Sequence, residues 1–215
     1  MRKARFLKSL VLVISILATH LSMAQPYRSA SQAQGLSTGV KAPDFQAIDS
    51  KGNIFKLEEA LKEGPVVIVF YRGHWCPVCN RHLNQLQDSL EVIQQAGARV
   101  VAISPEKPYN LEKTAEKTDS RFSLLYDEGY RISDAFDITF RPGSLDRIMY
   151  NTFLRANLKN AHSDDSQQLP IPATFVIGQD GKIVWRHFDP DYKKRASVQE
   201  IMEALSILNK RNQKN

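Results

Sequence analysis

The apolar positions of this chain switch between two periods. The run Val66-Val67-Ile68-Val69-Phe70-Tyr71 is unbroken and rich in β-formers, which predicts a buried strand over 65–71. Beyond it, Leu83, Leu86, Leu90 and Ile93 recur at helical spacing, which predicts a helix over 77–96 ended by Gly97. The alternation continues with a strand at Val100-Val101-Ala102-Ile103, a helix near 108–118 and a short strand near 122–126. Upstream, Ser50-Lys51-Gly52-Asn53 reads as the turn of a short hairpin, followed by a helix near 57–63. Downstream, Ala173 to Ile177 and Lys182 to Phe188 read as a hairpin joined through Gln179-Asp180-Gly181. Ser197-Val198-Gln199-Glu200 is a capping box for a last helix with Val198, Ile201, Leu205 and Leu208 on its apolar face.

Strands alternating with helices predict an α/β domain of three layers with parallel strands. The stretch 130–169 departs from the pattern. A short helix near Ile132 to Phe136 leads into an insertion at about 141–169, with a helix expected around Asp146 to Leu158 and a polar tail from Ser163 to Gln168. Residues 25–39, rich in Ser, Gln, Ala and Gly, read as a mobile lead-in to a domain over 40–210.

The first residues follow a different logic. Arg2, Lys3, Arg5 and Lys8 precede the apolar stretch Leu10 to Ala18 and the small-residue site Ser22-Met23-Ala24, the pattern of a secretory signal peptide cleaved before Gln25. Its loss takes away four basic and no acidic side chains, so the formal charge falls from +6 to +2. Neither a basic stripe nor interleaved aromatics survive, so no nucleic-acid partner is expected. The chain is expected to be exported, to the periplasm or beyond, with a membrane as partner only if the signal segment is retained.

The chain has two cysteines, placed as Cys76-Pro77-Val78-Cys79 where the apolar strand gives way to the helix. Unpaired N–H groups and the partial positive charge of a helix N-terminus stabilise a thiolate there, and proline at the first helical position costs no intrahelical bond. A CxxC can also be half of a zinc site, but there is no second cysteine pair, and His74 and His82 alone would have to complete it. As a purely structural bridge it would close too short a loop to constrain the unfolded chain. A redox pair is the better reading, and no cofactor or metal is expected. In an oxidising compartment such a pair rests as a disulfide unless a partner supplies electrons.

Several motifs together resemble the peroxiredoxin-like branch of the thioredoxin-fold superfamily, the alkyl hydroperoxide reductase and thiol-specific antioxidant proteins. They are Ala42-Pro43-Asp44-Phe45, the run from Phe70 through Arg72-Gly73-His74-Trp75 to Cys79, Ala102-Ile103-Ser104-Pro105-Glu106, Phe122 to Asp127, Ala135-Phe136 and Pro172-Ala173-Thr174-Phe175-Val176-Ile177. The resemblance spans residues 40–208 and implies a thioredoxin-like three-layer sandwich with a central mixed sheet flanked by helices. The peroxidatic motif of that branch is similar to Phe-Tyr-Pro-x-x-x-Thr-x-x-Cys. Laid on this chain, it puts the peroxidatic cysteine at Cys79, with Arg72 in place of proline and Cys76 in place of threonine. The family's peroxide-binding arginine falls on Pro172. A first cysteine at 76 with a facing proline at 172 is what a thioredoxin-type disulfide exchanger carries, and there that proline is cis.

Two mechanisms follow from the resemblance. In one, Cys79 attacks a hydroperoxide and Cys76 resolves the sulfenic acid to a disulfide, which a thioredoxin-like reducing partner resets. In the other, a more exposed Cys76 attacks a protein disulfide and Cys79 displaces it. A non-catalytic binding module with a passive CxxC is the third reading. Arg72 and Arg186 are the candidates for the missing guanidinium, and Trp75 is a candidate shield. His74 and Glu106 read as solvated groups, and the loop Asp189 to Arg195 as mixed charge without chemistry.

Overall fold

A computed structural model describes residues 27–212; the signal peptide expected over residues 1–24 lies outside them. The central sheet has the order β5-β4-β3-β8-β9. Its strands are β3 (Val66–Phe70), β4 (Arg99–Ser104), β5 (Ser123–Tyr126), β8 (Ala173–Ile177) and β9 (Ile183–Phe188). The first three run parallel and β8 and β9 antiparallel to their neighbours, so the sheet is mixed as expected. Ahead of it, β1 (Gln46–Ile48) and β2 (Ile54–Lys56) form the expected hairpin, whose turn is tied by Asp49 Oδ1 accepting the N–H groups of Lys51 and Asn53.

Because side chains alternate along a strand, the unbroken apolar run of β3 feeds two cores. Val67 and Val69 face α2 (Pro77–Asp88), α3 (Leu90–Gln95), α4 (Pro108–Thr118) and α8 (Val198–Asn212) through Leu83, Leu86, Ile93, Leu111, Ile201 and Leu205. Val66, Ile68 and Phe70 face α1 (Leu57–Glu63) and α5 (Arg131–Ala135) through Leu57, Leu61 and Ile132. This second core also holds a cluster of Phe70, Phe136 and Phe175, with ring centroids 5.0 to 6.0 Å apart. Three layers with the sheet in the middle result.

The helix expected over 77–96 divides at Ser89, whose ψ of 8° falls outside the helical well. Leu90 and Ile93 still reach the same core, since α3 restarts at once. The described part of the lead-in is docked rather than loose. Arg28 pairs with Asp137, Gly35 and Leu36 donate to the carbonyls of Asp137 and Phe136, and Ala33 is buried.

The insertion is clamped at its base by a two-stranded ladder, β6 (Thr139–Phe140) with β7 (Leu169–Pro170). Its expected single helix is two: α6 (Ser144–Thr152) and α7 (Leu158–Ala161). Arg155 and Asn157 between them take positive φ, and the Asn151 side chain accepts the Leu158 N–H and donates to Gln167. These side-chain bonds compete with helical continuation. The polar tail accordingly turns inward, with Ser166 and Gln167 buried.

Candidate functional site

Strand β3 delivers Tyr71 and Arg72 to the end of the sheet, and the chain then turns through Gly73-His74-Trp75 into α2. Gly73 has φ +152°, and a Cβ there would lie 2.6 Å from the Glu106 carboxylate and from Trp75 Nε1, so no larger residue fits this turn. Glu106 is fully buried and accepts from the His74 backbone N–H at 2.7 Å, with His74 Nδ1 at 2.8 Å. Neither residue is the solvated group expected. A carboxylate buried at the end of β4 is held in place by that pairing, and it fixes the loop leading to the cysteines.

Cys76 is the N-cap of α2 and Pro77 its first residue, as the sequence implied. The sulfur of Cys76 accepts the Cys79 backbone N–H at 3.4 Å, and the two sulfurs lie 2.6 Å apart as thiols. Cys76 is 0% and Cys79 1% exposed, so the expectation of a more exposed Cys76 is corrected. Both are packed in the core between β3, α2 and the aromatic cover described below.

Two guanidinium groups reach the pair. Arg72, itself 2% exposed, donates from Nη2 to Cys76 Sγ at 3.3 Å and from Nη1 to the Tyr150 hydroxyl at 3.0 Å. Its planar head is caged by the rings of Tyr192, Tyr150 and Trp75, at 3.9, 5.0 and 5.2 Å. Arg195 Nη2 lies 3.7 Å from Cys79 Sγ. Trp75 stacks on Tyr150 of the insertion with centroids 5.1 Å apart, in the same buried cluster as the two cysteines.

These contacts split the two thiols. Burial raises the Cys79 pKa, but the hydrogen bond from Cys76 and the charges of Arg72 and Arg195 outweigh it, and the net direction is down. Cys76 is pushed up, first by the sulfur-to-sulfur hydrogen bond and then by burial and the adjacent Cys79 charge, against a weaker pull from Arg72. One proton leaves the pair easily and the second is held, which is the behaviour of a coupled site.

The other candidates are placed elsewhere. Arg186 donates from Nη1 to the carbonyls of Gln34, Gly35 and Leu36, at 3.0, 2.8 and 2.9 Å, so it anchors the lead-in and supplies no guanidinium to the sulfurs. Pro172 is buried just before β8, whose Thr174 pairs with Val69 of β3. Its peptide bond is trans, as are all peptide bonds among the described residues, in place of the expected cis form. The Ile171 N–H just before it donates to the Ile138 carbonyl.

Arg195 and Tyr150 escaped sequence reasoning. Arg195 is held by its neighbours: His82, three residues along α2 from Cys79, lies with Nε2 3.0 Å from the Ala196 carbonyl. The Ser197 and Glu200 capping box fixes the following helix start. Burial, helped by the Arg195 charge, pushes the His82 pKa down to about 4, so it stays neutral and donates to that carbonyl. The box was visible in the sequence, but nothing there said that the arginine before it turns toward α2.

The AhpC/TSA family model matches residues 38–186. The chain is 31% identical over 187 residues to a chloroplastic peroxiredoxin Q of Sedum lineare, covering 87% of each chain. It is 31% identical over 103 residues to peroxiredoxin Bcp of Escherichia coli, across 48% of this chain and 65% of that one. The crystal structure of peroxidoxin BcpB from Mycobacterium tuberculosis shares the fold, with a TM-score of 0.62 at 23% identity, over 81% of this chain and 97% of that one. With its thioredoxin-like sandwich and a buried Cys76–Cys79 pair at the strand-to-helix corner, this chain belongs to the AhpC/TSA family of peroxiredoxins.

Proposed function

We propose that the protein is an exported thiol peroxidase that reduces hydroperoxides through Cys79, with Cys76 as the resolving thiol. The observation that carries this reading is geometric: the Cys76 and Cys79 sulfurs touch in a buried site, with the Arg72 guanidinium 3.3 Å from one and that of Arg195 3.7 Å from the other. The Cys79 thiolate attacks the terminal oxygen of R–O–OH, the O–O bond breaks, and the leaving alkoxide takes the Cys76 proton to become the alcohol. Cys79 is then a sulfenic acid and Cys76 a thiolate beside the Arg72 guanidinium. Cys76 attacks the Cys79 sulfur, hydroxide leaves, and the disulfide returns to two thiols at the expense of a thioredoxin-like dithiol. The family's guanidinium is absent at Pro172, and Arg72 and Arg195 supply positive charge from other directions.

Burial favours this reading over disulfide exchange. A protein disulfide must bring a sulfur and its flanking backbone onto Cys76, which has no exposed surface, whereas a peroxide oxygen needs a far smaller opening. Export rests on the amino-terminal charge and hydropathy pattern. The test is a titration of the reduced protein with hydroperoxide. The reading requires one intramolecular disulfide per peroxide consumed, and turnover when thioredoxin and its reductase are added. Disulfide-bonded insulin reduced efficiently by a protein that consumes peroxide no faster than a small thiol would replace peroxidase by exchange.

A further inference from the structure

The loop from Asp189 to Arg195, between β9 and α8, reads in the sequence as mixed charge without chemistry, yet it meets the cysteine site at two points. The Tyr192 ring sits 3.9 Å from the head of Arg72, whose Nη2 donates to Cys76, and Arg195 Nη2 lies 3.7 Å from Cys79 Sγ. Among the described residues, every other hydrogen bond of this strap is internal to it. Asp189 accepts the Asp191 N–H and pairs with Lys194 Nζ, Asp191 accepts the N–H groups of Lys193 and Lys194, and Arg195 Nη1 donates to the Lys194 carbonyl. Both carboxylates of the strap are used within it, and its one hydrogen bond to the rest of the domain ends on a reacting sulfur.

That anchor depends on the redox state of the pair. A Cys79 thiolate gives the Arg195 guanidinium an anion, whereas a Cys76–Cys79 disulfide carries no charge, and water then solvates the guanidinium better than the sulfur does. Arg195 is half-buried, so its head can turn outward, while Arg72 is buried and keeps the Tyr150 hydroxyl in either state. The neighbouring elements have holds of their own. The insertion has the β6–β7 ladder and the Asn151 bonds, and the turn before Cys76 has the Glu106 carboxylate. The two sulfurs already touch in the first turn of α2, so the bond between them forms with that helix in place. A protein dithiol that is to attack this disulfide still needs an opening, because both cysteines are buried.

We propose that residues 189–195 are a redox-read strap, closed on the pair while Cys79 is a thiolate and released when the disulfide forms, so that the opened site admits the reducing dithiol. Release rests on the thiol pair alone; its place in turnover rests on the peroxidase reading. Oxidation takes two electrons from the pair, and the S–S bond replaces the thiolate charge and the thiol proton. In the opened form the dithiol's thiolate attacks Cys76, the S–S bond breaks, and Cys79 leaves as a thiolate. The partner's second thiolate then displaces Cys76, which takes up a proton, and the partner departs as a disulfide. The charge restored on Cys79 draws Arg195 back and closes the strap. The closed, reduced pair thus excludes protein disulfides, and the opened, oxidised pair accepts a protein dithiol.

Lys193, Lys194 and Arg195 make the strap a target for trypsin, which reads its opening directly. The full chain is digested briefly in its reduced form and after oxidation by diamide, whose azo bond takes up the two electrons and two protons. Cleavage after Lys193 and Lys194 is followed by mass spectrometry, with cleavage after Lys51, in the exposed hairpin turn, as the internal reference. Oxidation should speed strap cleavage about tenfold or more, the scale of losing one unit-charge contact at this range, and leave Lys51 unchanged. Arg195→Gln, its fold checked by circular dichroism, should be cut quickly at both lysines in either state. Equal strap cleavage of the reduced and oxidised wild type overturns the proposal, and so does a redox dependence that survives in Arg195→Gln. A parallel rise at Lys51 overturns it as well, since the whole domain then loosens. Because diamide replaces peroxide, failure of the peroxidase reading looks different: peroxide is consumed no faster than by a small thiol, while the strap still opens on oxidation.

Discussion

Replacing Arg195 by Gln removes a unit positive charge 3.7 Å from Cys79 Sγ while keeping a polar side chain of similar reach. At that separation two unit charges attract by about 4 kcal/mol at an effective dielectric constant of about 20, and by about 1 kcal/mol under the screening of bulk water. Arg195 is half-buried, so both limits apply in part. The apparent pKa of Cys79 should therefore rise by about 1 to 3 units. The assay is the pH dependence of thiolate ultraviolet absorbance, repeated as the rate of iodoacetamide alkylation, in a Cys76→Ser background where a single thiol titrates. Arg186→Gln is the control and should leave this pKa in place, because its guanidinium is spent on the carbonyls of residues 34–36. An Arg195→Gln pKa indistinguishable from the parent would refute the claim that this arginine sets the charge of Cys79.

Other outcomes follow from the same geometry. Tyr150→Ala opens the cage over Arg72, so alkylation of the reduced pair should speed up several-fold while stability drops, read by rapid mixing and by urea midpoint. Glu106→Ala strands the His74 N–H and should cost about 1 to 3 kcal/mol in chemical denaturation, with slower peroxide turnover as the loop before Cys76 loosens. Burial holds His82 and His162 neutral in the folded chain, with pKa values pushed down to about 4 from 6.5. The unfolded chain binds these protons first, so their contribution is complete above about pH 6.5 and is lost as pH falls toward 4, on the order of 3 kcal/mol for each. Urea midpoints measured across that window should fall steeply, and His162→Gln should flatten the slope.

The sheet and its flanking helices were legible because their signals are local. An unbroken run such as 66–70 has one economical place, a strand covered on both faces, and the stripe from Leu83 to Ile93 has one face to bury. The cysteine pair was legible for the same reason, since its position between strand and helix is written in adjacent residues. Its surroundings were legible only where they are local, as Arg72 is. Arg195 meets Cys79 across 116 residues and Tyr150 meets Arg72 across 78, and neither carries a local pattern that names its partner. Arg186 and Arg195 look alike as sequence, one in a strand and one in a charged loop. Only the docking of the lead-in on one, and the His82 to Ala196 contact beside the other, sends them to different tasks. Glu106 was misjudged because a glutamate after a strand is usually solvated, and what buries it is a turn around Gly73 whose space is defined in three dimensions.

The central claim is that Cys79 is the sulfur that meets the peroxide. Cys76→Ser and Cys79→Ser, each reduced and mixed with stoichiometric hydroperoxide, are quenched with a sulfenic-acid trap and followed by mass spectrometry. The account requires rapid trapping at Cys79 in Cys76→Ser, orders of magnitude above a small-molecule thiol, and little at Cys76 in Cys79→Ser. Fast sulfenic acid at Cys76 with an inert Cys79 would reverse the roles, and slow oxidation of both would end the peroxidase account.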